Sequence, residues 1–383
     1  MHASMSSDPT FACVACGADT PVTQALWRCP RCNAPVMLSP GTGLRRGQIR
    51  GEIASLWRYG AAIRVAAPRI SLGEGWTPLV PGTVDRCPVQ FKLEFLMPTG
   101  SFKDRGTAVM MNHLLDRGVT SLLEDSSGNA GASIAHYAAA AGIDCTIYVP
   151  AAAPRAKIVQ IAASGARVVP IPGSRQDVAD KALETAASIF YASHNWQPFF
   201  IEGTKTLAFE LWEQLGFRVP DNIVVPCGYG SNILGCAQGF AELRAAGEID
   251  RMPRLFAVQA ENCAPFLAAW RAGSDQPVPF EPKPTTADGI ATQRPVRTAQ
   301  VLAAVRASGG AVVGAPEDQI ADAVLALGRR GLFVEPTSAT ALVALSRLID
   351  AGTIGRSDTT VVILTGNGLK AAPVIGDLLG IGA

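Results

Sequence analysis

The chain has 383 residues, of which 48% are hydrophobic and 38 are glycine, enough for two or three domains with buried parallel strands and tight turns. Its net charge of +1 gives no electrostatic basis for binding nucleic acid or an anionic membrane. No apolar run reaches the ~18 residues that a membrane-spanning helix needs, so we expect neither nucleic acid nor a membrane as partner.

The first 40 residues predict a metal site. Two Cys-x2-Cys pairs are separated by 12 residues, and their members are Cys13, Cys16, Cys29 and Cys32. Two such tight turns complete a tetrahedral set of four sulfurs that suits Zn²⁺. A segment this short has no adequate core of its own, so metal binding would stabilise it. We therefore predict a structural zinc ribbon at residues 1–40.

The cysteine pattern and the N-terminus predict a cytoplasmic protein. Residues 1–8 carry neither the basic stretch nor the apolar segment of a secretory signal. The five cysteines outside the ribbon are an odd, scattered set, which favours reduced thiols over disulfides. Their positions are Cys87, Cys145, Cys227, Cys236 and Cys263.

Predicted strands and helices alternate from residue 89 onward, which is typical of parallel sheets with helices on both faces. Strands are predicted at 89–93, 121–124, 145–149, 167–170, 222–226, 255–259, 312–314 and 360–364. Helices are predicted at 107–115, 130–141, 154–164, 176–189, 206–215, 232–246 and 317–330. We expect an α/β fold with a linker and the start of the large domain at 41–94, a small domain at 95–205 and a large domain at 206–383.

The segment at 98–106 places a lysine at the start of a predicted helix. Pro98 and Gly100 favour a turn, and Ser101 is predicted to cap the helix, which puts Lys103 in its first turn. The positive end of the helix dipole disfavours a cation there. It suits a neutral, nucleophilic amine, as in a lysine that forms a Schiff base with an aldehyde cofactor. A lone lysine is otherwise an exposed surface residue, so the surrounding loops decide between these interpretations.

Two further loops open predicted helices directly after predicted strands, where α/β proteins collect their ligands. Ser126, Ser127, Gly128 and Asn129 precede an alanine-rich helix, whose N–H groups could accept a carboxylate or phosphate; simple capping by Ser127 or Asn129 is the alternative. The second loop forms a glycine-rich anion site and consists of Gly228, Tyr229, Gly230, Ser231 and Asn232. It matches neither the dinucleotide fingerprint nor the P-loop, so a single phosphate monoester fits best.

Together with Thr365 at the tip of the last predicted strand, these motifs resemble the fold-type II pyridoxal-phosphate enzymes, and among them the threonine-synthase-like family. The resemblance covers roughly residues 71–370 in the family's order. Its motifs are Pro-Thr-Gly-Ser-Phe-Lys-Asp-Arg at 98–105, Ser-Ser-Gly-Asn at 126–129, Glu-Gly-Thr-Lys-Thr at 202–206, Glu-Pro-Thr-Ser-Ala at 335–339 and Thr-Gly-Asn-Gly-Leu-Lys at 365–370. It implies a tryptophan-synthase-β-like fold of two doubly wound α/β domains, a homodimer and an amino-acid substrate. The zinc-ribbon leader also occurs on some members.

The resemblance also implies residue roles. Lys103 would hold pyridoxal 5′-phosphate and then act as the base on the substrate α-proton, while Asn129 would bond the cofactor's 3-hydroxyl. The residues 228–232 would wrap the phosphate, and residues 126–129 would hold the substrate carboxylate. Thr365 would meet the pyridine nitrogen as a neutral hydroxyl, which suits elimination or replacement of a β or γ group better than transamination.

Three positions depart from the family pattern. Ala130 stands where threonine synthases commonly carry threonine, and Phe200 stands where many carry an arginine for the substrate phosphate. Asn367 stands where the family usually carries a histidine after Thr-Gly. The first two departures weaken the case for O-phosphohomoserine as substrate. Threonine synthesis from it stays the nearest named activity that the resemblance implies, with a threonine or serine dehydratase, an ammonia-lyase or a β-replacement synthase as alternatives.

Function classes outside the pyridoxal-phosphate enzymes have less support in the sequence. One such alternative is a non-catalytic zinc-ribbon scaffold. The intact Lys103 and the complete glycine loop favour an enzyme over this scaffold. A nicotinamide dehydrogenase is not supported, because the sequence lacks the dinucleotide-binding fingerprint. The sequence has no Gly-x-Ser-x-Gly for a hydrolase, and none of its four histidines adjoins such a serine: His2, His113, His136 and His194. His113 and His136 are predicted to be packing or surface residues.

Overall fold

The computed structural model describes residues 9–381. Residues 1–8, for which we predicted the absence of a secretory signal, lie outside the described residues. His2 is one of them. Within residues 9–381 no helix combines the length and the apolar character that crossing a membrane would require. The nine cysteines all lie in this range, and none of them is in a disulfide there.

Thirteen strands in the described chain form three sheets. In chain order the strands are β1 (Thr10–Cys13), β2 (Asp19–Pro21), β3 (Val36–Leu38), β4 (Leu79–Val84), β5 (Cys87–Leu93), β6 (Ser121–Glu124), β7 (Asp144–Pro150), β8 (Arg167–Ile171), β9 (Phe190–Tyr191), β10 (Asn222–Pro226), β11 (Arg254–Ala260), β12 (Ala311–Ala315) and β13 (Thr360–Leu364). The sheet orders are β2-β1-β3, β12-β11-β10-β13-β5-β4 and β8-β7-β6-β9. The first sheet is antiparallel and the third is parallel, while β4 is the one antiparallel strand of the second.

Helices cover the two larger sheets. They are α1 (Lys103–Asp116), α2 (Asn129–Ala141), α3 (Arg155–Ala163), α4 (Arg175–Thr185), α5 (Pro198–Thr204), α6 (Thr206–Gln214), α7 (Ser231–Ala245), α8 (Pro265–Arg271), α9 (Thr298–Ala307), α10 (Glu317–Gly328), α11 (Pro336–Asp350) and α12 (Ala372–Leu378). Short 3₁₀ helices include Arg46–Gln48 and Leu56–Ala62 in the segment that follows the first sheet.

The six-stranded sheet is buried on both faces, and its sequence shows why. Every residue of β10 and of β13 is buried, in runs rich in Val and Ile. Ile223 and Val225 pack into one hydrophobic core, whereas Val224 between them packs into a second core. Because successive side chains of a strand point to opposite faces, this alternation places helices on both sides of the sheet.

The predicted α/β class is confirmed, and every strand and helix predicted from residue 89 onward is present within a few residues of its predicted bounds. The helix predicted at 176–189 ends earlier, at Thr185. Strand β4, which contains Pro81 and Gly82, and the two-residue β9 were not predicted. The division into segments at residues 40, 94 and 205 stays a prediction.

The N-terminal sheet docks onto the body of the protein through aromatic and backbone contacts. Trp27 packs edge-on against Tyr191 and Trp196, at centroid distances of 5.2 and 5.4 Å. The buried Arg297 donates hydrogen bonds to the carbonyls of Val36, Asn195 and Trp196. The segment that carries the four cysteines is therefore tied to the chain that follows β9.

Candidate active site

A cavity of about 800 Å³ lies at the carboxyl ends of strands from both larger sheets. The loops after β6, β10 and β13 all reach it, as expected for a ligand site in an α/β fold. All predicted site residues outside the ribbon line this cavity: Lys103, Ser126, Ser127, Gly128, Asn129, Gly228, Tyr229, Gly230, Ser231, Asn232 and Thr365. The structure thus brings together residues that are far apart in the sequence, although their roles stay predictions.

Lys103 is the first residue of α1, in the predicted first turn. The prediction that Ser101 caps this helix is wrong: the N-cap is Phe102, and Ser101 instead pairs as an isolated bridge with Gly366. The Phe102 N–H donates to the Thr365 carbonyl at 3.0 Å. Backbone pairing with the loop after β13 therefore replaced the capping that the local sequence favoured.

The amine of Lys103 lies in apolar surroundings. Its Nζ is 4.5 Å from the ring centroid of Phe102 and 5.7 Å from that of Phe200. Burial lowers the pKa of Lys103 to about 8, although Glu124 and Glu335 partly oppose this shift. A larger fraction of this amine is therefore neutral near neutral pH than of an exposed lysine.

Two buried polar networks hold α1 in place. The carboxylate of Asp104 accepts hydrogen bonds from the Thr99 N–H and hydroxyl, at 2.7 and 2.6 Å, and from the Ser133 hydroxyl at 2.6 Å. The guanidinium of Arg105 donates to both carboxylates of Glu94 and Glu210 at 2.6–2.8 Å. Lys103 is thereby held by the two anchored residues that directly follow it in α1.

The loop at 126–129 opens α2 without the capping that was the alternative interpretation. Gly128 is the N-cap residue, and no side chain of the described residues caps this helix. Asn129 Nδ2 instead donates to both carboxylate oxygens of Glu335, at 3.1 and 3.0 Å. The N-terminal N–H groups of α2 are therefore free to bind an anion.

The glycine-rich loop has the geometry of an anion site at the start of the 15-residue helix α7. Gly230 has φ +89°, and a Cβ there would collide with Val301. Both polar side-chain atoms of Asn232 are buried without a partner in the described residues. Unpartnered polar atoms at a helix N-terminus are the groups that a site for a polar, anionic ligand needs, so the predicted role of this loop is chemically possible.

Thr365 follows β13 and lies beside Ser338. Ser338 belongs to the motif at 335–339 but was not predicted to be a site residue. Their hydroxyl oxygens are 3.0 Å apart, and both residues are buried. Ser338 Oγ also accepts the N–H groups of Thr365 and Gly366, each at 2.9 Å. The side chains at this end of the cavity are thus a pair of hydroxyl groups.

One wall of the cavity was missed by sequence reasoning. Arg175 and His194 line it, and Glu124, Asp125 and Tyr191 lie behind them at the carboxyl edge of the four-stranded sheet. Asp125 accepts hydrogen bonds from Arg175 Nη1 at 2.7 Å and from the Tyr191 hydroxyl at 2.8 Å. His194 Nδ1 lies 2.8 Å from Glu124 Oε1. The sequence signal for this wall is the acidic pair at the end of the predicted strand 121–124.

The positions that depart from the family pattern differ in their exposure to the cavity. Ala130 lines it, whereas Phe200 is fully buried outside its lining and covers the Lys103 amine. Cationic side chains other than Lys103 do line the cavity: Lys157, Arg175 and Lys370. The loss of an arginine at position 200 therefore does not leave the cavity without positive charge.

The four N-terminal cysteines form a second, separate cluster. The Sγ atoms of Cys13, Cys16, Cys29 and Cys32 lie within 4.8 Å of one another. Four thiols at this spacing form a set of donors that could hold a metal ion. The predicted metal-ligating residues are therefore brought together.

Comparison with known proteins gives a family and several relatives. Residues 70–366 match the family model described as pyridoxal-phosphate dependent enzyme. The chain is 33% identical to a threonine synthase from Methanosarcina acetivorans, over 96% of this chain and 93% of the relative, and 34% identical to one from Methanocaldococcus jannaschii, over 84% and 82%. Among solved structures, it is similar to the T.th. threonine deaminase, with a TM-score of 0.63 and 25% identity over 76% of this chain and 92% of that one.

Proposed function

The chain belongs to the pyridoxal-phosphate dependent enzyme family, and from that premise we propose that it catalyses elimination or replacement of a β or γ group on an amino acid. Threonine synthase is the nearest named activity, since threonine synthases are relatives over most of the chain. The observation that carries the proposal is the half-buried Lys103 in one cavity with the glycine-rich loop and the 126–129 loop. The predicted fold-type II architecture and the threonine-synthase-like assignment are confirmed by the comparisons.

The residues of the cavity fit pyridoxal 5′-phosphate. The unpartnered amide of Asn232, the tight Gly230 and the start of α7 suit its phosphate group. Lys103 would be the residue that holds its aldehyde carbon, and Asn129 would bond its 3-hydroxyl. When bound, the cofactor withdraws electrons from the substrate α-carbon, which makes the α-proton acidic.

Lys103 would remove this α-proton, because the lowered pKa of its amine suits a base that works near neutral pH. The N–H groups at the start of α2 would hold the substrate carboxylate, as the uncapped helix allows. The ring of Phe200 beside the amine would exclude water from it. These residues position the α-proton and the base on one side of the substrate.

Thr365 would meet the pyridine nitrogen with a neutral hydroxyl that Ser338 orients. A hydroxyl does not enforce protonation of that nitrogen as an aspartate would, so electron withdrawal from the α-carbon is milder. A milder withdrawal suits loss of a leaving group better than transamination. The hydroxyl at position 365 therefore supports elimination or replacement as the reaction class.

A second candidate is a dehydratase, an ammonia-lyase or a β-replacement synthase. The specific observation that favours it is the apolar pair Ala130 and Phe200 at positions where threonine synthases carry polar residues, together with the similarity to a threonine deaminase. Against it stand Arg175 and Lys157 in the cavity lining, which offer positive charge to a phosphate on the substrate. The two candidates therefore differ in the substrate side chain.

A substrate panel distinguishes these candidates. Purified protein loaded with pyridoxal phosphate is titrated with O-phosphohomoserine, O-phosphoserine, serine and threonine, while the visible spectrum is recorded and products are identified by mass spectrometry. Threonine formed from O-phosphohomoserine supports a threonine synthase. A keto acid formed from a β-substituted amino acid supports the second candidate, and a protein that binds no cofactor contradicts both.

The remaining parts of the proposal concern the ribbon and the assembly. The four-cysteine cluster would hold a structural Zn²⁺, since four thiolates at tetrahedral spacing suit this ion. The protein would be a cytoplasmic homodimer, and its small-molecule partner would be an amino acid. The predicted segments, with a ribbon at 1–40, a small domain at 95–205 and a large domain at 206–383, belong to the same proposal.

A further inference from the structure

A histidine and a glutamate form a buried pair in the wall beside Lys103. His194 lines the cavity and is only 5% exposed, while Glu124 is fully buried. The Nδ1 atom of His194 lies 2.8 Å from Glu124 Oε1. The Nε2 atom makes no hydrogen bond within residues 9–381 and is not among the atoms sealed from solvent there, so it is the ring atom open to the cavity.

This buried pair lowers the stability of the fold if its only role is packing. Glu124 Oε2 is buried without a hydrogen-bond partner in the described residues. Such an orphaned carboxyl oxygen lowers stability, and it is typical of a functional site rather than of a core. The segment that carries His194 is also firmly held, because Arg297 bonds the carbonyl of Asn195, the next residue.

His194 and Lys103 both lie beside the ring of Phe200. The imidazole is 5.6 Å from the ring of Phe200, and that same ring is 5.7 Å from Lys103 Nζ. Tyr229 of the glycine-rich loop lies 5.7 Å from the imidazole. The histidine therefore lines the cavity in contact with the glycine-rich loop and with the aromatic ring that packs near Lys103.

The charges around the pair keep it neutral overall. Burial, and then Asp125, raise the pKa of Glu124 well above its ordinary value. Burial, and then Lys103 and Arg175, lower the pKa of His194. The charged and titratable groups that face the pair are Lys103 from α1, Asp125 after β6, Cys145 from β7, Arg175 from α4, Tyr191 from β9 and Tyr229 after β10. Both directions favour the neutral form of the pair, in which Glu124 donates from Oε1 to Nδ1 and the ring carries its proton on Nε2.

We propose that His194 is the general acid that protonates the leaving group of the substrate, and that Glu124 supplies a proton to the other nitrogen of its ring. This inference rests on the proposed function. As the bond between carbon and the leaving oxygen breaks, its electron pair stays on the oxygen, which takes the Nε2 proton of His194. The Glu124 proton moves to Nδ1, so the pair ends with one carboxylate and a neutral ring. A proton from solvent restores it.

The test separates proton removal from leaving-group departure in the holoenzyme. Exchange of the substrate α-proton with deuterium from D₂O reports Lys103 alone. Departure is measured as kcat/KM for two substrates that differ only in their leaving group, L-serine and β-chloro-L-alanine. If the wild-type enzyme releases only γ groups, L-homoserine and 2-amino-4-chlorobutyrate take their place. Chloride leaves without a proton, whereas a hydroxyl group needs one.

His194→Gln is expected to lower kcat/KM for the hydroxyl substrate by about 10² to 10⁴-fold, the usual contribution of a general acid. The chloride substrate and the α-proton exchange are expected to be unaffected. Glu124→Gln is expected to show the same selectivity, because the amide cannot deliver its proton. His113→Gln is the matched control: His113 is also a buried histidine, stacked on Phe199, but it does not line the cavity.

Equal losses for both leaving groups, or lost α-proton exchange in His194→Gln, would show that His194 only supports the structure. Absence of α-proton exchange in the wild-type holoenzyme would refute the proposed function, and this inference with it. A measurement without turnover completes the test, because the chain has only four histidines. In ¹⁵N-histidine-labelled holoenzyme, the His194 ring should be neutral with its proton on Nε2 at about pH 6 to 8. A bare Nε2 would make it a base and overturn the proposal.

Discussion

Replacing Lys103 by methionine should stabilise the cofactor-free protein at neutral pH. Burial lowers the pKa of this amine from 10.5 to about 8 in the folded chain. At ~1.36 kcal/mol per pKa unit, the folded state is penalised by about 3 kcal/mol for keeping the lysine protonated. Methionine has a similar volume and no charge, so Lys103→Met should remove that penalty while it abolishes cofactor attachment.

The sign of the effect fixes its pH dependence. Below about pH 8 the amine is protonated in both states, and the full penalty applies. Between about pH 8 and 10.4 the unfolded chain binds more protons than the folded one, so the wild-type protein gains stability as pH rises. The advantage of Lys103→Met should therefore be largest at pH 7 and should vanish near the ordinary lysine pKa.

The assay is urea denaturation of cofactor-free wild-type and variant proteins at several pH values. The expected result is a higher free energy of unfolding for Lys103→Met at neutral pH and equal values at about pH 10.4. Lys283→Met, at an exposed position outside the cavity, controls for general effects of losing a charge. A variant no more stable than wild type at pH 7, or a difference independent of pH, would refute the argument that burial primes Lys103.

Three further predictions concern the ribbon, the phosphate loop and the anchor of α1. Cys29→Ser, or chelation, should loosen the ribbon and expose Trp27, seen as a red shift in tryptophan fluorescence, while the visible band of bound cofactor persists. Gly230→Ala adds a Cβ at φ +89° against Val301, so strain of about 1–3 kcal/mol should weaken cofactor binding by about 5- to 150-fold in an equilibrium titration. Arg105→Leu removes the cation that pairs with the buried Glu94 and Glu210, of which only Glu210 keeps a second cation, Lys92, and should lower the free energy of unfolding by about 3–5 kcal/mol in urea.

Each of these three predictions can be contradicted by a defined result, and two of them have a matched control variant. Loss of cofactor on mild chelation would mean that the ribbon does more than brace the fold. Gly247→Ala has a similar positive φ but open surroundings, so equal loss of cofactor affinity there would exclude crowding at Gly230 as the cause. Arg329→Leu, at an exposed position, should change stability by less than about 0.5 kcal/mol, and an equal cost at both arginines would contradict the network argument.

The parts of the site that could be predicted from sequence are those with a local signal. The glycine-rich loop and the loop at 126–129 each combine a buried strand, a turn and a helix start within about a dozen residues. Lys103 was placed in its helical turn by the same reasoning. Strand β4 was missed because Pro81 and Gly82 disfavour a strand, yet they are tolerated at the edge of a sheet.

What the sequence did not predict are contacts between distant residues. His194 and Glu124 are separated by 70 positions, and Asn129 and Glu335 by 206, so no local pattern connects them. The Ser101 cap failed for the same reason, because its backbone pairs with Gly366 on the far side of the chain. Tertiary pairing overrides local capping preference when a loop is held between two strand ends.

The identity of the lysine that holds the cofactor is the central claim, and one experiment tests it directly. Protein loaded with pyridoxal phosphate is reduced with borohydride, which fixes the cofactor to the amine that binds it, and peptides are mapped by mass spectrometry. We predict the label on Lys103, and no label or visible band in Lys103→Ala. A label on Lys157 or Lys370, which also line the cavity, or a visible band that persists in Lys103→Ala, would contradict this claim.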